Sequence, residues 1–100
     1  MITIILENDK NEVLAKIGEP DNRSILLRHT DDDAYKILSE ISECDYEIVL
    51  SEDVSQLITE LESIKPELTE KQTFHVNEII KLAKIAQNKN GYALTFTPFE

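Results

Sequence analysis

The residue types that most often perform chemistry are sparse in this chain. His29 and His75 are its two histidines, the side chains best suited to proton transfer or metal binding near neutral pH. They lie far apart and lack the HExxH spacing that would place two imidazoles on one face of a helix. Cys44 has no second cysteine with which to form a disulfide or a thiolate cluster, and we expect it to be buried at the end of a helix. We therefore predict no catalytic site, no cofactor and no metal.

The run Asp31, Asp32 and Asp33 supplies carboxylate oxygens, the ligands that calcium prefers. It lacks the D-x-D-x-D-G order and the twelfth-position glutamate of a calcium-binding loop. Carboxylates are also favoured at the positive end of a helix dipole, so we predict that these three begin a helix. The chain has two glycines, and neither stands at the strand-to-helix turn that a phosphate-binding loop requires.

Acidic residues are concentrated in one part of the chain. Of the 20 acids among 100 residues, 13 lie between positions 31 and 70, where Lys36 and Lys65 are the only bases. Residues 1–30 are nearly neutral, and residues 71–100 carry four lysines against two acids. Because the net charge of −10 repels polyanions, nucleic acid is not expected as a partner.

We predict that carboxylates of this segment form one negative surface on two neighbouring helices and the strand between them. Such a surface attracts a basic partner and raises its association rate by roughly tenfold to a thousandfold in strong cases. The alternative is that the charge only keeps a small protein soluble, although its self-repulsion destabilises the compact state. The residues predicted to bind the partner are Asp31, Asp32, Asp33, Glu40, Glu43, Asp45, Glu47, Glu52, Asp53, Glu60 and Glu62.

Strands are predicted from alternating apolar residues and from the turns between them. Residues 2–6, 13–18 and 24–29 are expected to form an antiparallel meander, separated by turns rich in Asn and Asp. Apolar side chains alternate again over residues 46–50, which predicts a fourth strand. The β-branched and aromatic residues of 92–99 predict a fifth.

Helices are predicted where apolar residues recur every three or four positions. Residues 31–43 show this spacing after the aspartate run, and residues 54–64 have a clean apolar stripe on one face. Thr69 and Gln72 form a capping box at the start of a third helix, which we expect to continue to about residue 88.

Together these elements predict a single α+β domain over residues 1–100, in the order β-β-β-α-β-α-α-β. About five strands form a mostly antiparallel sheet, and three helices pack on it. The opening apolar run of residues 1–6 is too short for a signal peptide, and no stretch is long enough to span a membrane. We therefore expect a cytoplasmic protein.

A small, strongly acidic α+β domain of this size resembles the immunity proteins of bacterial toxin systems. These include the barstar type and the cognate inhibitors of contact-dependent growth inhibition and related polymorphic toxins. The resemblance rests on the acidic series from Asp31 to Glu70 and on the helix-then-strand ending from Asn88 to Phe99. It implies a cytosolic protein that binds a basic toxin domain, often a nuclease, and covers its cleft with carboxylates. No sequence motif allows functional residues of these families to be assigned to positions in this chain.

Three other functions remain open at this point. A DNA-mimicking inhibitor of a defence protein requires carboxylates spaced like phosphates along an extended face. A non-catalytic adaptor subunit requires a large exposed apolar patch on the sheet or the last helix. An enzyme requires a deep pocket lined by carboxylates and one of the histidines.

Overall fold

The computed structural model describes residues 1–99 and contains one antiparallel sheet in that range. Its strands are β1 (Thr3–Glu7), β2 (Val13–Gly18), β3 (Glu47–Leu50) and β4 (Ala93–Thr97), in the order β2-β1-β4-β3. β1 and β4 therefore lie at the centre, and β2 and β3 are the two edge strands. The predicted α+β class and antiparallel sheet are confirmed, with four strands in the described part of the chain instead of about five.

One face of this sheet is covered by helices. The helical elements are α1 (Arg23–Leu26), α2 (Val54–Ile64), α3 (Glu70–Ala86) and three 3₁₀ turns at Leu38–Glu40, Ser51–Asp53 and Lys65–Glu67. α3 lies against β1 and β4, and α2 packs on α3 and beside β3. No helix or strand of residues 1–99 packs on the other face of the sheet, although Thr3 and Thr97 on that face are buried.

The core lies between this helix layer and the inner face of the sheet. The strand register sets Ile4 opposite Phe96 and Leu6 opposite Leu94, and all four side chains are buried. Val49 is the buried apolar residue of β3. The predicted apolar stripe of α2 packs on them from above through Val54, Leu57, Leu61 and Ile64. Burial of these aliphatic groups is the main force that holds the two layers together.

The start of α3 is formed as predicted. The side chain of Thr69 accepts a hydrogen bond from the Gln72 backbone N–H at 3.2 Å. In return, Oε1 of Gln72 accepts the Thr69 backbone N–H at 2.9 Å. The helix ends at Ala86, shortly before the predicted end, and Gly91 takes a left-handed conformation with a φ of 86° in the turn before β4.

The predicted strand over residues 24–29 is wrong, because this stretch holds the short helix α1 and turns. The carbonyl of Asn22 accepts the N–H groups of Ile25 and Leu26, which closes a helical turn. Two buried apolar residues stand next to each other at positions 25 and 26, a pattern that strict strand alternation does not produce. β2 is therefore an edge strand and not the middle strand of a meander, and β1 pairs with β2 and β4.

The predicted helix over residues 31–43 is also wrong. Asp31 has a φ of 62°, and the side chain of Asp32 accepts the Ala34 N–H at 3.0 Å, so both residues form turns. Further along, the N–H groups of Ile37 and Leu38 are bonded to a side chain of α2. Only a 3₁₀ turn at residues 38–40 is formed, because local and tertiary acceptors replace the helical ones.

Residues 19–46 connect β2, at one edge of the sheet, with β3 at the other. This connection has little regular structure, yet it buries Ile25, Leu26, Leu38 and Ile41 in the core. Many of its backbone groups bond within the segment, and the N–H groups of Ile37 and Leu38 bond to Glu60 of α2. From α3, His75 contacts the side chain of Asn22.

Candidate protein-binding surface

Most of the carboxylates predicted to bind a partner lie at the surface. Asp32 and Glu47 are half-buried, and Glu60 is fully buried. The exposed members are Asp31, Asp33, Glu40, Glu43, Asp45, Glu52, Asp53 and Glu62. The predicted surface is thus present in part, although Asp31, Asp32 and Asp33 stand on turns and not at the start of a helix.

Glu60 does not belong to this surface. Its side chain is 2% exposed and lies beneath the 19–46 connection. Oε1 accepts the backbone N–H groups of Ile37 at 3.0 Å and Leu38 at 2.9 Å, and Oε2 accepts Nε2 of Gln56 at 2.8 Å. The prediction was wrong because the apolar stripe of α2 marks only the face towards the sheet. A polar residue beside that stripe can still be buried by another segment.

Three further carboxylates contact a nearby cation or a histidine. Each contact is local to the surface, and exposed ion pairs of this kind contribute little stability. The pairs are Glu43 with Arg23 at 2.8 Å, Glu62 with Lys65 at 2.8 Å, and Asp32 with His29 at 3.3 Å.

The His29 ring packs against neighbouring side chains. Its ring stacks on Tyr35 with 3.9 Å between ring centroids, and Nε2 lies 3.9 Å from a carboxylate oxygen of Glu67. The pKa of Asp32 is held below its ordinary value, first by the hydrogen bond from the Ala34 backbone and then by His29. These contacts place the turn at residues 29–35 beside the 3₁₀ turn Lys65–Glu67.

Glu40, Asp45 and Glu47 form a group of like charges, which we call the acidic cluster. Burial raises the pKa of Glu47 above its ordinary value, and repulsion from Glu40 and then Asp45 raises it further. Within residues 1–99 no lysine, arginine or histidine forms an ion pair with these three side chains. Glu52 and Asp53 follow β3 directly and extend the negative charge beyond its other end.

The acidic cluster should oppose folding at neutral pH. When folding raises the pKa of an acid, the free energy of unfolding falls as pH rises from the unfolded pKa of that acid through its folded pKa. We expect Glu47→Gln to increase the free energy of unfolding at neutral pH by less than about 1 kcal/mol, since solvent screens part of the repulsion. Urea unfolding measures this effect, with Glu52→Gln as the control on an exposed carboxylate. A lower free energy of unfolding for Glu47→Gln would contradict the unfavourable burial and repulsion assigned to the Glu47 carboxylate.

His75 is buried with Asn22 at the other side of the helix layer. Oδ1 of Asn22 accepts the Ile2 N–H at 2.8 Å, and Nδ2 donates to the Ile2 carbonyl at 2.7 Å. This orients Nδ2 as the donor towards Nε2 of His75 at 3.1 Å, so the ring carries its proton on Nδ1. Burial lowers the pKa of His75, and Glu78 and Glu19 offset this only in part. No feature of the sequence distinguishes Asn22 from the turn residues around it.

This histidine should make the fold sensitive to mild acid. A histidine with a lowered folded pKa contributes full stability above its unfolded pKa of about 6.5 and loses it as pH falls below that value. We expect the urea midpoint of the native chain to fall more between about pH 7 and pH 5.5 than that of His75→Gln. Parallel curves for the two proteins would show that His75 does not take up the proton. Glu78 and Glu19 are the charged groups that face it.

A shallow cleft of about 230 Å³ lies beside His75, between the turn at residues 19–21 and the start of α3. Its lining includes Glu19 and Asp21, and Lys71 lies 3.7 Å from Glu19. Nε2 of His75 contacts Asn22, and the buried Nδ1 lies 3.7 Å from Glu78 and has no hydrogen-bond partner among residues 1–99. The cleft therefore offers carboxylates and a lysine, beside a histidine ring that is buried.

Other sequence expectations can be compared with the described residues. Cys44 is exposed and not buried, because the helix expected to end there is absent. In residues 1–99 no three His, Cys, Asp or Glu side chains are grouped as metal ligands. None of the helices in the same range has the length and apolar character to cross a membrane.

No family model, no curated protein and no solved structure matches the chain. The resemblance to immunity proteins therefore remains a prediction from the sequence.

Proposed function

We propose that this protein is an immunity or antitoxin protein that binds and neutralises a basic toxin domain, with a nuclease as the expected class. The observation that supports this is the acidic cluster of Glu40, Asp45 and Glu47. Burial, and then repulsion from Glu40 and Asp45, raise the pKa of Glu47, and no cation of residues 1–99 forms an ion pair with these three carboxylates. A partner that brings lysine or arginine to them removes that repulsion.

The chemistry of such a complex follows from the charges. A nuclease cleft attracts phosphates, so carboxylates held close together can occupy the same positions. Arginine forms paired, parallel hydrogen bonds with carboxylates, which adds direction to the attraction. Complementary charge also speeds association, which matters for an inhibitor that must act before its toxin.

The acidic cluster supports this proposal better than a DNA-mimicking one. A phosphate-like series needs many unpaired carboxylates in succession. Here Glu43 and Glu62 are paired with Arg23 and Lys65, and Glu60 is buried. These three interrupt the series, whereas the acidic cluster remains compact and close to β3.

A second candidate function is a non-catalytic adaptor subunit. Exposed apolar side chains on α3 and on the uncovered face of the sheet favour it, among them Phe74, Ile85, Ile48 and Leu50. In that case a partner would bind these apolar residues and leave the acidic cluster in solvent. Replacement of Phe74 by serine would then weaken binding, and reversal of the acidic cluster would not.

The test of the proposal is titration against the protein encoded by the neighbouring gene, with inhibition of its toxicity as a second measurement. We expect Glu40→Lys combined with Asp45→Lys to weaken binding by roughly a hundredfold, since two attractive pairs become repulsive. The control is Asp9→Lys combined with Glu70→Lys, which changes the net charge equally at two exposed sites elsewhere. The proposal fails if the neighbour is not toxic, or if both double variants bind like the native chain.

A further inference from the structure

Within residues 1–99, no strand pairs with the outer side of the edge strand β3. The Ser51 N–H donates to the Tyr92 carbonyl at 3.1 Å, so residues 51 and 92 form a hydrogen-bonded pair. Because such pairs alternate in an antiparallel ladder, Glu47 and Val49 also bond to β4. The N–H and C=O groups of Ile48 and Leu50 therefore point away from β4, towards the free side.

The side chains of β3 do not prevent another strand from pairing with its free side. Ile48 and Leu50 are 48% and 49% exposed on the uncovered face of the sheet, and Tyr46 just before them is also exposed. β2, the opposite edge, has two features that discourage pairing with another chain: an extra residue at Leu14, where the register with β1 shifts, and the charged Lys16. β3 contains no lysine, proline or bulge in residues 47–50.

The charges around β3 select what can pair with it. Asp45 and Glu47 lie at its beginning, and Glu52 and Asp53 follow its end. A second copy of this chain whose β3 paired antiparallel about Val49 would bring its Asp53 towards Asp45, twice by symmetry. Like charges opposite each other are destabilising, so the same carboxylates that disfavour self-pairing favour a basic strand.

We propose that the free edge of β3 binds an extended, basic segment of the partner protein, which adds a fifth strand to the sheet. This inference rests on the proposed function for the sign of the partner's charge. The unpaired groups of Ile48 and Leu50 supply main-chain hydrogen bonds, and their side chains pack against alternate residues of the added strand. The flanking carboxylates, including the acidic cluster, pair with its lysine or arginine side chains.

A synthetic peptide in which lysine and valine alternate tests the edge directly. On titration, the amide signals of Ile48 and Leu50 should shift most, and their hydrogen exchange should slow. Two control peptides have N-methylated backbone amides or glutamate in place of lysine, and both should bind at least about tenfold more weakly. Equal binding of the N-methylated peptide, or unchanged exchange at both residues, overturns the proposal.

Two variants separate backbone pairing from apolar contact. Ile48→Pro removes the outward N–H without a bond to β4, at an edge position where proline is tolerated, and Ile48→Ala keeps the N–H. We expect Ile48→Pro to bind the peptide roughly tenfold more weakly than Ile48→Ala, with both variants folded by circular dichroism. Equal affinities overturn the proposal, as does salt-insensitive dimerisation of the native chain through β3. If Ile48→Pro does not fold, the N-methylated peptide decides the question.

Failure of this inference differs from failure of the proposed function. If reversal of Glu40 and Asp45 abolishes toxin binding but Ile48→Pro binds the toxin as tightly as Ile48→Ala, the edge is not used and the function stands. If the peptide pairs with β3 but the neighbouring protein does not bind, the edge is competent and the proposed function is wrong.

Discussion

Replacement of Glu60 by alanine is expected to lower the free energy of unfolding by about 3 kcal/mol, because it leaves buried N–H groups without an acceptor. The carboxylate receives the backbone N–H groups of Ile37 and Leu38 and a side-chain donor from Gln56. Alanine restores none of these bonds and leaves a space beneath the 19–46 connection. Urea unfolding monitored by circular dichroism measures the loss.

Two further variants show whether the effect belongs to this network. Glu60→Gln keeps one acceptor oxygen and should lose about half as much stability as alanine. Glu62→Ala removes an exposed carboxylate from the same helix, paired with Lys65, and should cost less than about 1 kcal/mol. If Glu60→Ala is no less stable than Glu62→Ala, then Glu60 does not hold the connection in place.

Asn22→Ala should be about as destabilising as Glu60→Ala, again by roughly 3 kcal/mol. The Asn22 amide is buried and pairs with both backbone groups of Ile2 and with His75. Its side chain thereby makes the hydrogen bonds that a neighbouring strand would make with Ile2, the residue that precedes β1. Its loss leaves an N–H, a carbonyl and an imidazole nitrogen unpaired in the core. Asn77→Ala, on the exposed side of α3, is the control and should change stability little.

Asn22→Asp gives a more specific result than a loss of stability. The carboxylate still accepts the Ile2 N–H, but it no longer donates to Nε2 of His75. A negative charge next to the ring favours the imidazolium, so the pKa of His75 should rise relative to the native protein. Titration of the ring by nuclear magnetic resonance measures this change. An unchanged or lower pKa would contradict the contact assigned between Asn22 and Nε2 of His75.

Regular elements with strong local signals could be predicted from the sequence. The capping box of Thr69 and Gln72 and the apolar stripe of residues 54–64 are both present, because each depends on residues three or four positions apart. The first hairpin is also present. The two errors, at 24–29 and 31–43, lie in the 19–46 connection, where Asn22 closes a local helical turn and the N–H groups of Ile37 and Leu38 bond to Glu60, distant in sequence. Periodicity carries no information about such bonds.

The candidate site could be predicted in part for the same reason. The excess of acids in residues 31–70 predicts exposed carboxylates around β3, and most of them are exposed, because Asp and Glu side chains usually are. It cannot distinguish Glu60, which is bonded within the fold, from Glu40, which is exposed. The free edge of β3 depends on the strand order of the whole sheet, which no local pattern contains.

The most direct test of the proposed function is the salt dependence of association with the protein encoded by the neighbouring gene. For the native chain, the association rate constant should fall steeply as ionic strength rises, because the acidic cluster steers the encounter. Glu40→Lys combined with Asp45→Lys should associate more slowly at low salt and lose most of this dependence. The same salt dependence in both proteins would show that the acidic cluster does not bind the partner.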